Sequence, residues 1–185
     1  MYKYILFDFD GTVFDTVEGI TKSVQYALAK RGIEAELDSL RCFAGPPLVD
    51  MFMEKFDLTQ EEAEAATEDF RERYQPIGLY ECRVFPGIKE LLHALIGAGL
   101  HVGIATSKPQ HLAEKLLEGE GMLELFEVIS GSDSDGNNNS KAAVLTRAMN
   151  ALGADKKETV LVGDTKYDVA GAKACGVDCI GVRYG

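Results

Sequence analysis

Two carboxylates near the start of the chain have the spacing needed to act on one bound group. Asp8 and Asp10 follow a short apolar run, and residues two apart on a strand face the same side. The strand rise places them roughly 7 Å apart, which leaves room for a tetrahedral group between the carboxylates. Backbone N–H groups at Gly11 and Thr12 could add donors, since glycine permits close approach.

Three further polar clusters follow later apolar runs. Thr106 and Ser107 supply hydroxyl groups, and Lys141 stands at the start of a predicted helix. Asp164 ends another apolar run, and Asp168 comes one helical turn later on the same face. Each cluster alone is typical of a turn, a helix cap or a solvated lysine. Together they fall at successive strand ends, where an open α/β sheet binds its ligands.

Taken together, these side chains predict a pocket that binds both a divalent cation and an anion. Clustered carboxylates repel one another and need a cation, and a ligand set made only of oxygen favours Mg²⁺. A metal ion and a lysine around one open position form an anion site. Phosphate is the commonest biological occupant of such a site, so we expect a phosphate group there.

The elements that must position these residues follow from the hydrophobic spacing. Apolar runs alternate with helical stripes, which predicts a three-layer, Rossmann-like α/β fold with a parallel sheet and right-handed crossovers. The predicted strands cover residues 4–9, 100–105, 126–129, 160–162 and 179–182.

Residues 15–83 show helical spacing only, which predicts an all-helical cap inserted into an α/β core. The core would then comprise residues 1–14 and 84–185. Asp15 with Glu18 has the pattern of a helix cap, and Thr59 with Glu62 has that of a capping box.

The composition limits the partners. Nineteen basic against thirty acidic residues give a net charge of −11, which argues against nucleic acid or an anionic membrane surface as the main partner. A local positive site can still bind a small anion. The first apolar run is too short for a signal peptide, and no run is long enough to span a bilayer. Four cysteines without a CxxC pair indicate reduced thiols in a cytoplasmic protein: Cys42, Cys82, Cys175 and Cys179.

Four segments resemble, in order, the motifs of the haloacid dehalogenase superfamily. They are Asp8–Val13, Ala105–Pro109, Lys141 and Gly163–Asp168. The helical block after the first motif resembles the small helical cap of that superfamily. Three more segments look like its phosphoglycolate-phosphatase-like branch: Gly45–Leu48, Val84–Gly87 and the stretch from Gly131 to Lys141.

This resemblance implies a Mg²⁺-dependent phosphatase that hydrolyses a small phosphomonoester. Asp8 would be the nucleophile that forms an aspartyl-phosphate. Asp10 would protonate the leaving alcohol and then deprotonate the attacking water. The presence of Asp10 favours a phosphatase over a dehalogenase, because a carbon–halogen displacement has no alkoxide to protonate.

The resemblance also implies how the phosphate and the metal are held. The phosphate-binding residues would be Gly11, Thr12, Thr106, Ser107 and Lys141. Mg²⁺ would be held by Asp8, the backbone carbonyl of Asp10, and Asp164. Asp168 would steady this shell, either as a water-mediated ligand or as a partner of Lys141.

The cap would close over the site and read the substrate. Lys22, Arg41 and the turn at Gly45 and Pro46 are the candidates for that contact. The expected partner is a small phosphorylated metabolite, bound by a monomer or a homodimer.

Several alternatives stay open at this point. The substrate could be phosphoglycolate, a nucleoside monophosphate, a sugar phosphate or pyrophosphate. A phosphomutase of the β-phosphoglucomutase type would share the aspartyl-phosphate but pass it to a sugar. Outside enzymes, the same scaffold could serve as a phospho-accepting receiver or as a binding module.

Two further expectations concern a loop and the end of the chain. Asp133, Asp135 and the run of asparagines at 137–139 suggest a calcium loop, but the glycine does not fit the EF-hand pattern, so we predict a plain loop. Proteins of this kind usually continue past the last strand. The sequence is therefore either a short form or a truncated chain.

Overall fold

A computed structural model of the chain describes residues 1–133 and 140–185. The predictions made for Asp135 and for the asparagine run at 137–139 lie outside the described residues. The chain folds into two compact units, one formed by Met1–Phe14 with Val84–Gly185 and the other by Asp15–Arg83.

The first unit contains the sheet. Its five parallel strands lie side by side in the order Val128–Ser132, His101–Pro109, Tyr4–Phe7, Thr159–Gly163 and Asp178–Gly181, with helices on both sides, and the predicted α/β fold is confirmed. The strands are β1 (Tyr4–Phe7), β4 (His101–Pro109), β5 (Val128–Ser132), β6 (Thr159–Gly163) and β7 (Asp178–Gly181). The helices of this unit are α4 (Ile88–Gly97), α5 (Gln110–Gly119), α6 (Lys141–Leu152) and α7 (Lys166–Cys175).

A continuous apolar cluster fixes the strands against the last two of these helices. Leu6 of β1, Ala105 of β4 and Leu161 of β6 are fully buried with Val144 and Leu145 of α6. A central parallel strand is covered on both faces, which explains why β1 is an uninterrupted apolar run. The strand ends that carry the polar clusters are therefore held by a packed core.

Strand β4 is longer than predicted. Its pairing with β5 shifts register after Ala105 and resumes at Pro109, which lies opposite Ser132. Strand β5 also starts later than predicted, at Val128. It passes close to the start of α5, because a Cβ on Gly131 would lie 2.5 Å from the Cα of Gln110. These limits depend on neighbouring strands, which the local spacing does not encode.

The second unit is helical. It contains α1 (Val17–Ala29), α2 (Leu48–Phe56) and α3 (Gln60–Tyr74), with short 3₁₀ turns at Leu37–Phe43 and Gly78–Tyr80. The segments β2 (Phe14–Asp15) and β3 (Arg83–Val84) pair with each other where the chain passes between the units.

Of the two capping patterns predicted in the helical unit, one is confirmed and one is wrong. Thr59 and Glu62 form the predicted capping box at the start of α3. The predicted cap at Asp15 is wrong: Thr16 occupies the N-cap position of α1, and its side chain makes no capping bond. Asp15 instead accepts a hydrogen bond of 2.9 Å from Arg83, because both residues lie in the paired connecting segments.

Within the described part of the chain, the helices are too short or too polar to cross a bilayer. The same residues form no disulfide bond.

Candidate active site

Lys141 joins two of the predicted carboxylates. It is the first residue of α6, and the Ser140 side chain caps that helix by accepting from Ala143 N. Its Nζ lies 2.6 Å from Asp8 Oδ1 and 2.9 Å from Asp168 Oδ1. It also donates to the carbonyl oxygen of Ala105 at 3.3 Å. Residues from β4, α6 and α7 therefore meet beyond the end of β1.

This cluster is buried, and burial sets its charge. Asp8 and Lys141 are 4% and 7% exposed. Burial raises the pKa of Asp8 to about 6, while the Lys141 ammonium opposes that shift and the Asp168 carboxylate adds to it. Burial also disfavours the Lys141 ammonium, but Asp8 and Asp168 together outweigh it and raise the pKa of Lys141. The lysine is therefore charged at neutral pH.

Asp168 has a second function at the start of α7. Its Oδ2 accepts from the backbone N–H of Thr165 at 3.0 Å and from the Thr165 hydroxyl at 2.8 Å, which completes a capping box. This fixes the carboxylate so that Oδ1 faces Lys141. A Cβ on Gly163 would lie 2.3 Å from Asp168 Cγ, so the approach of β6 to this side chain requires glycine.

Asp164 is fixed from the loop that follows β1. The Thr12 hydroxyl donates to Asp164 Oδ1 at 3.1 Å. Gly11 has a φ of +80°, and a Cβ there would lie 2.3 Å from Asp164 Oδ2. Burial raises the pKa of Asp164, and the Thr12 hydrogen bond opposes that shift. Glycine at position 11 thus satisfies both the backbone conformation and the close approach of the carboxylate.

The carboxylates fit a divalent cation. One oxygen each from Asp8, Asp164 and Asp168 lies within 4.8 Å of the other two. Their three negative charges exceed the single positive charge of Lys141, and an all-oxygen donor set is the kind that Mg²⁺ prefers. The sequence predicted Asp168 beside this set, either as a water-mediated ligand or as a partner of Lys141. The structure places its carboxylate next to Lys141 and within the same cluster.

Asp10 lies beside a lysine to which sequence reasoning gave no role. Lys108 Nζ is 3.0 Å from Asp10 Oδ1, and Lys108 is buried. The backbone N–H of Lys108 donates to the Thr106 hydroxyl at 3.2 Å. Since that bond uses Thr106 as an acceptor, its own O–H can still donate to a ligand oxygen. Ser107, between them, is half-buried.

Tyr184 is a second residue whose contact with the site was not predicted from the sequence. Its hydroxyl donates to the carbonyl oxygen of Thr12 at 3.0 Å, and its ring packs against Phe85 with a centroid distance of 4.7 Å. It thereby holds the loop of Gly11 and Thr12. The only sequence signal was a tyrosine three residues after the last strand, which by itself does not predict a partner.

The three candidates for substrate reading lie in the helical unit. Lys22 is paired with Glu18 at 2.5 Å and with Glu81 at 3.1 Å. Arg41 is exposed in the 3₁₀ turn, and Gly45 has a φ of +99°. Their contact with substrate remains a prediction.

A groove of about 750 Å³ lies within the helical unit, beside Lys22 and Arg73. Several of its polar side chains already have partners. Arg73 donates to Glu81 and Ser23, and Gln25 donates to the carbonyl oxygen of Ala35. These groups stabilise the unit itself.

Comparison with known proteins places this geometry in a family context. Residues 5–182 match the sequence model of a family described as haloacid dehalogenase-like hydrolase. A crystal structure of a predicted phosphatase from Clostridium acetobutylicum has a TM-score of 0.96 and 40% sequence identity, and the match covers 100% of this chain and 86% of that one.

Three curated relatives differ in their described activities. A 5'-nucleotidase of Pseudomonas aeruginosa is 43% identical, with 100% of this chain and 84% of the relative covered. A phosphoglycolate phosphatase of Rhodospirillum rubrum is 30% identical, with 100% and 81% covered. A tyrosine-protein kinase, PtkA of Mycobacterium tuberculosis, is 36% identical, with 99% of this chain but only 62% of the relative covered.

Proposed function

This chain belongs to the haloacid dehalogenase-like hydrolase family and is a phosphatase, and from that premise we propose that it hydrolyses small phosphomonoesters through an aspartyl-phosphate on Asp8, with Mg²⁺ as cofactor. The observation that supports this most directly is the position of Asp8. Its carboxylate contacts the buried Lys141 ammonium at 2.6 Å and shares a pocket with the oxygens of Asp164 and Asp168.

In the first half-reaction, a carboxylate oxygen of Asp8 attacks phosphorus and the ester P–O bond breaks. The leaving alkoxide takes a proton from the carboxyl group of Asp10. In the second, the Asp10 carboxylate takes a proton from water, and the water oxygen attacks phosphorus. The bond between phosphorus and Asp8 breaks, which releases inorganic phosphate and returns both aspartates to their starting states.

The remaining residues would bind and neutralise the phosphoryl group. Lys141 and the Thr106 hydroxyl would contact its oxygens as negative charge spreads over them. Asp8, Asp164 and the Asp10 carbonyl would hold Mg²⁺, with Asp168 beside them. When bound, the ion would offset the carboxylate charge and draw electron density from the phosphoryl oxygens.

A nucleoside 5'-monophosphate is the first substrate class to test. The support is that the relative with 43% identity over the whole chain is described as a 5'-nucleotidase. Phosphoglycolate is the second candidate, from the relative at 30% identity. Both are alkyl phosphates, so the Asp8 and Asp10 chemistry is the same for either.

A phosphate-release assay tests the proposed function. The panel contains nucleoside 5'-monophosphates, phosphoglycolate, sugar phosphates, pyrophosphate and 4-nitrophenyl phosphate, each with Mg²⁺ and with EDTA. We expect release that EDTA abolishes and that Asp8→Asn lacks. Release by Asp8→Asn at the wild-type rate would exclude Asp8 as nucleophile, and a sugar phosphate product without free phosphate would identify a mutase.

A further inference from the structure

Lys108 is a buried cation that the proposed reaction does not use. It lies near the end of β4, is 6% exposed, and its Nζ is 3.0 Å from Asp10 Oδ1 and 5.6 Å from the centre of the Phe9 ring. Burying an ammonium group is unfavourable unless a counter-ion offsets the loss of hydration. Packing alone would be served at lower cost by methionine, so the charge itself needs an explanation.

The position of Lys108 follows from the strand. Thr106 and Lys108 both lie in the part of β4 where the pairing with β5 is irregular, between Ala105 and Pro109, and both side chains are buried. The hydrogen bond from Lys108 N to Thr106 Oγ1 ties the two residues together. The strand end therefore presents a hydroxyl group and an ammonium group to the same region, and the ammonium group meets Asp10.

Lys108 contacts only one oxygen of the Asp10 carboxylate. Its Nζ donates to Oδ1, and in the described part of the chain no hydrogen bond is made to Oδ2. A carboxylate held by one oxygen loses its freedom to rotate, while the other oxygen stays available to exchange a proton. Fixing a reacting group in this way can supply a large part of a rate enhancement.

We propose that Lys108 is a positioning residue, which holds Oδ1 of Asp10 so that Oδ2 faces first the leaving oxygen and then the attacking water. This inference rests on the proposed role of Asp10 as acid and base. It assigns to Lys108 no contact with the substrate.

The proposal predicts a dependence on the leaving group. An alkoxide is too basic to leave unprotonated, whereas 4-nitrophenolate leaves without a proton. Loss of positioning should therefore lower kcat/KM, which reports the first half-reaction, for an alkyl phosphate but not for 4-nitrophenyl phosphate. The second half-reaction needs Asp10 with every substrate, so kcat should fall for both.

The experiment compares Lys108→Met with wild type, using 4-nitrophenyl phosphate and the alkyl phosphate that is turned over fastest in the panel. We expect kcat/KM to fall about 100-fold for the alkyl phosphate and less than about 3-fold for 4-nitrophenyl phosphate, in keeping with the usual contribution of a proton-transferring group. A burst of 4-nitrophenol, stoichiometric with enzyme, should appear as water attack becomes limiting.

Three variants complete the design. Lys89→Met is the matched control, because Lys89 is a half-exposed lysine of α4 paired with Glu120, and it should behave as wild type. Lys108→Arg keeps the charge and should recover part of the loss. Adding Lys108→Met to Asp10→Asn should lower the activity no further, because the proposed role of Lys108 requires the Asp10 carboxyl group.

The outcomes separate this inference from the proposed function. Equal losses of kcat/KM with both substrates, or no loss at all, would overturn the positioning role. If Asp10→Asn itself shows no leaving-group dependence, the acid–base role of Asp10 fails, and the inference fails with it. If Lys108→Met does not fold, Lys108→Gln gives the same comparison with a polar side chain of similar length.

Discussion

At the scale of single residues, one ammonium group faces two carboxylates. Lys141 contacts Asp8 and Asp168, and a third carboxylate, Asp164, shares their pocket. Without a metal ion, three negative charges are thus opposed by one positive charge. Removing the positive charge should therefore destabilise the metal-free protein, and removing one of the negative charges should stabilise it.

Lys141→Met should destabilise the protein in EDTA. Removing one partner of a buried ion pair leaves the other uncompensated, which costs about 3–5 kcal/mol of unfolding free energy. Urea denaturation measures the change. Lys166→Met is the matched control, because Lys166 also opens a helix but is exposed, and it should change stability by less than about 0.5 kcal/mol. Equal stability of the Lys141 variant and wild type would contradict the charge balance.

Asp8→Asn should stabilise the metal-free protein at neutral pH. The pKa of Asp8 is about 6 in the folded chain and 3.8 as a free side chain. The folded state therefore binds this proton more tightly than the unfolded state does, so ionisation of Asp8 lowers the stability of the fold. This destabilisation is absent below pH 3.8 and complete above about pH 6. The full destabilisation is about 3 kcal/mol when the difference between the two pKa values is converted to a free energy.

The measurement is a series of urea unfolding curves in EDTA between pH 4.5 and pH 7.5. Wild-type stability should fall relative to Asp8→Asn as the pH rises to about 6 and should stay level above it, where the variant should be more stable by about 1–3 kcal/mol. Mg²⁺ should reverse the order by stabilising wild type more strongly. Parallel pH curves for the two proteins would show that Asp8 does not titrate as described.

At the scale of elements, the predictable features were those encoded locally. The start of α6 at Lys141 agrees with the prediction, because Ser140 caps the helix there, and Gly153 ends it in a left-handed conformation. The capping box of Thr59 and Glu62 could likewise be predicted, since both residues lie within one helical turn. The parallel sheet followed from the alternation of apolar runs and helical stripes.

Features that depend on distant partners were not predictable. Asp15 has the composition of a helix cap but bonds to Arg83, which is remote in the sequence. The contacts of Lys108 with Asp10 and of Tyr184 with Thr12 likewise join distant segments. The sequence predicted which residue types lie at the strand ends, but the pairing among them follows from strand order and register.

The loop after β1 provides a prediction at this scale. Gly11→Ala adds a Cβ to a backbone with φ of +80° and places it 2.3 Å from Asp164 Oδ2. Gly121→Ala is the matched control, because Gly121 has a φ of +66° and open space around it. The control should lose about 1 kcal/mol from backbone strain alone.

Gly11→Ala should lose more, about 2–4 kcal/mol, because Asp164 must also move. Its thermal stabilisation by Mg²⁺ should shrink as well, whereas that of Gly121→Ala should equal the wild-type value. Differential scanning fluorimetry with and without Mg²⁺ measures both effects. Equal losses in the two variants would mean that the approach of Gly11 to Asp164 is not a constraint.

At the scale of the whole molecule, the net charge opposes the proposed ligand. The chain carries −11, and a phosphate ester is itself an anion. Attraction inside the pocket comes from the buried Lys141, whose exposure is only 7%. Long-range repulsion therefore acts through water, whereas short-range attraction acts through protein, and salt screens the former far more than the latter.

This difference predicts an unusual salt dependence. At saturating Mg²⁺, kcat/KM should rise by about 2- to 5-fold as NaCl is raised from about 10 mM to about 150 mM, because the Debye length falls from roughly 30 Å to roughly 8 Å. The rise should be larger for phosphoglycolate, with its additional carboxylate, than for 4-nitrophenyl phosphate, while kcat should hardly change. A steady fall of kcat/KM from the lowest salt would show instead that exposed cations attract the substrate, and that the acidic surface does not control its approach.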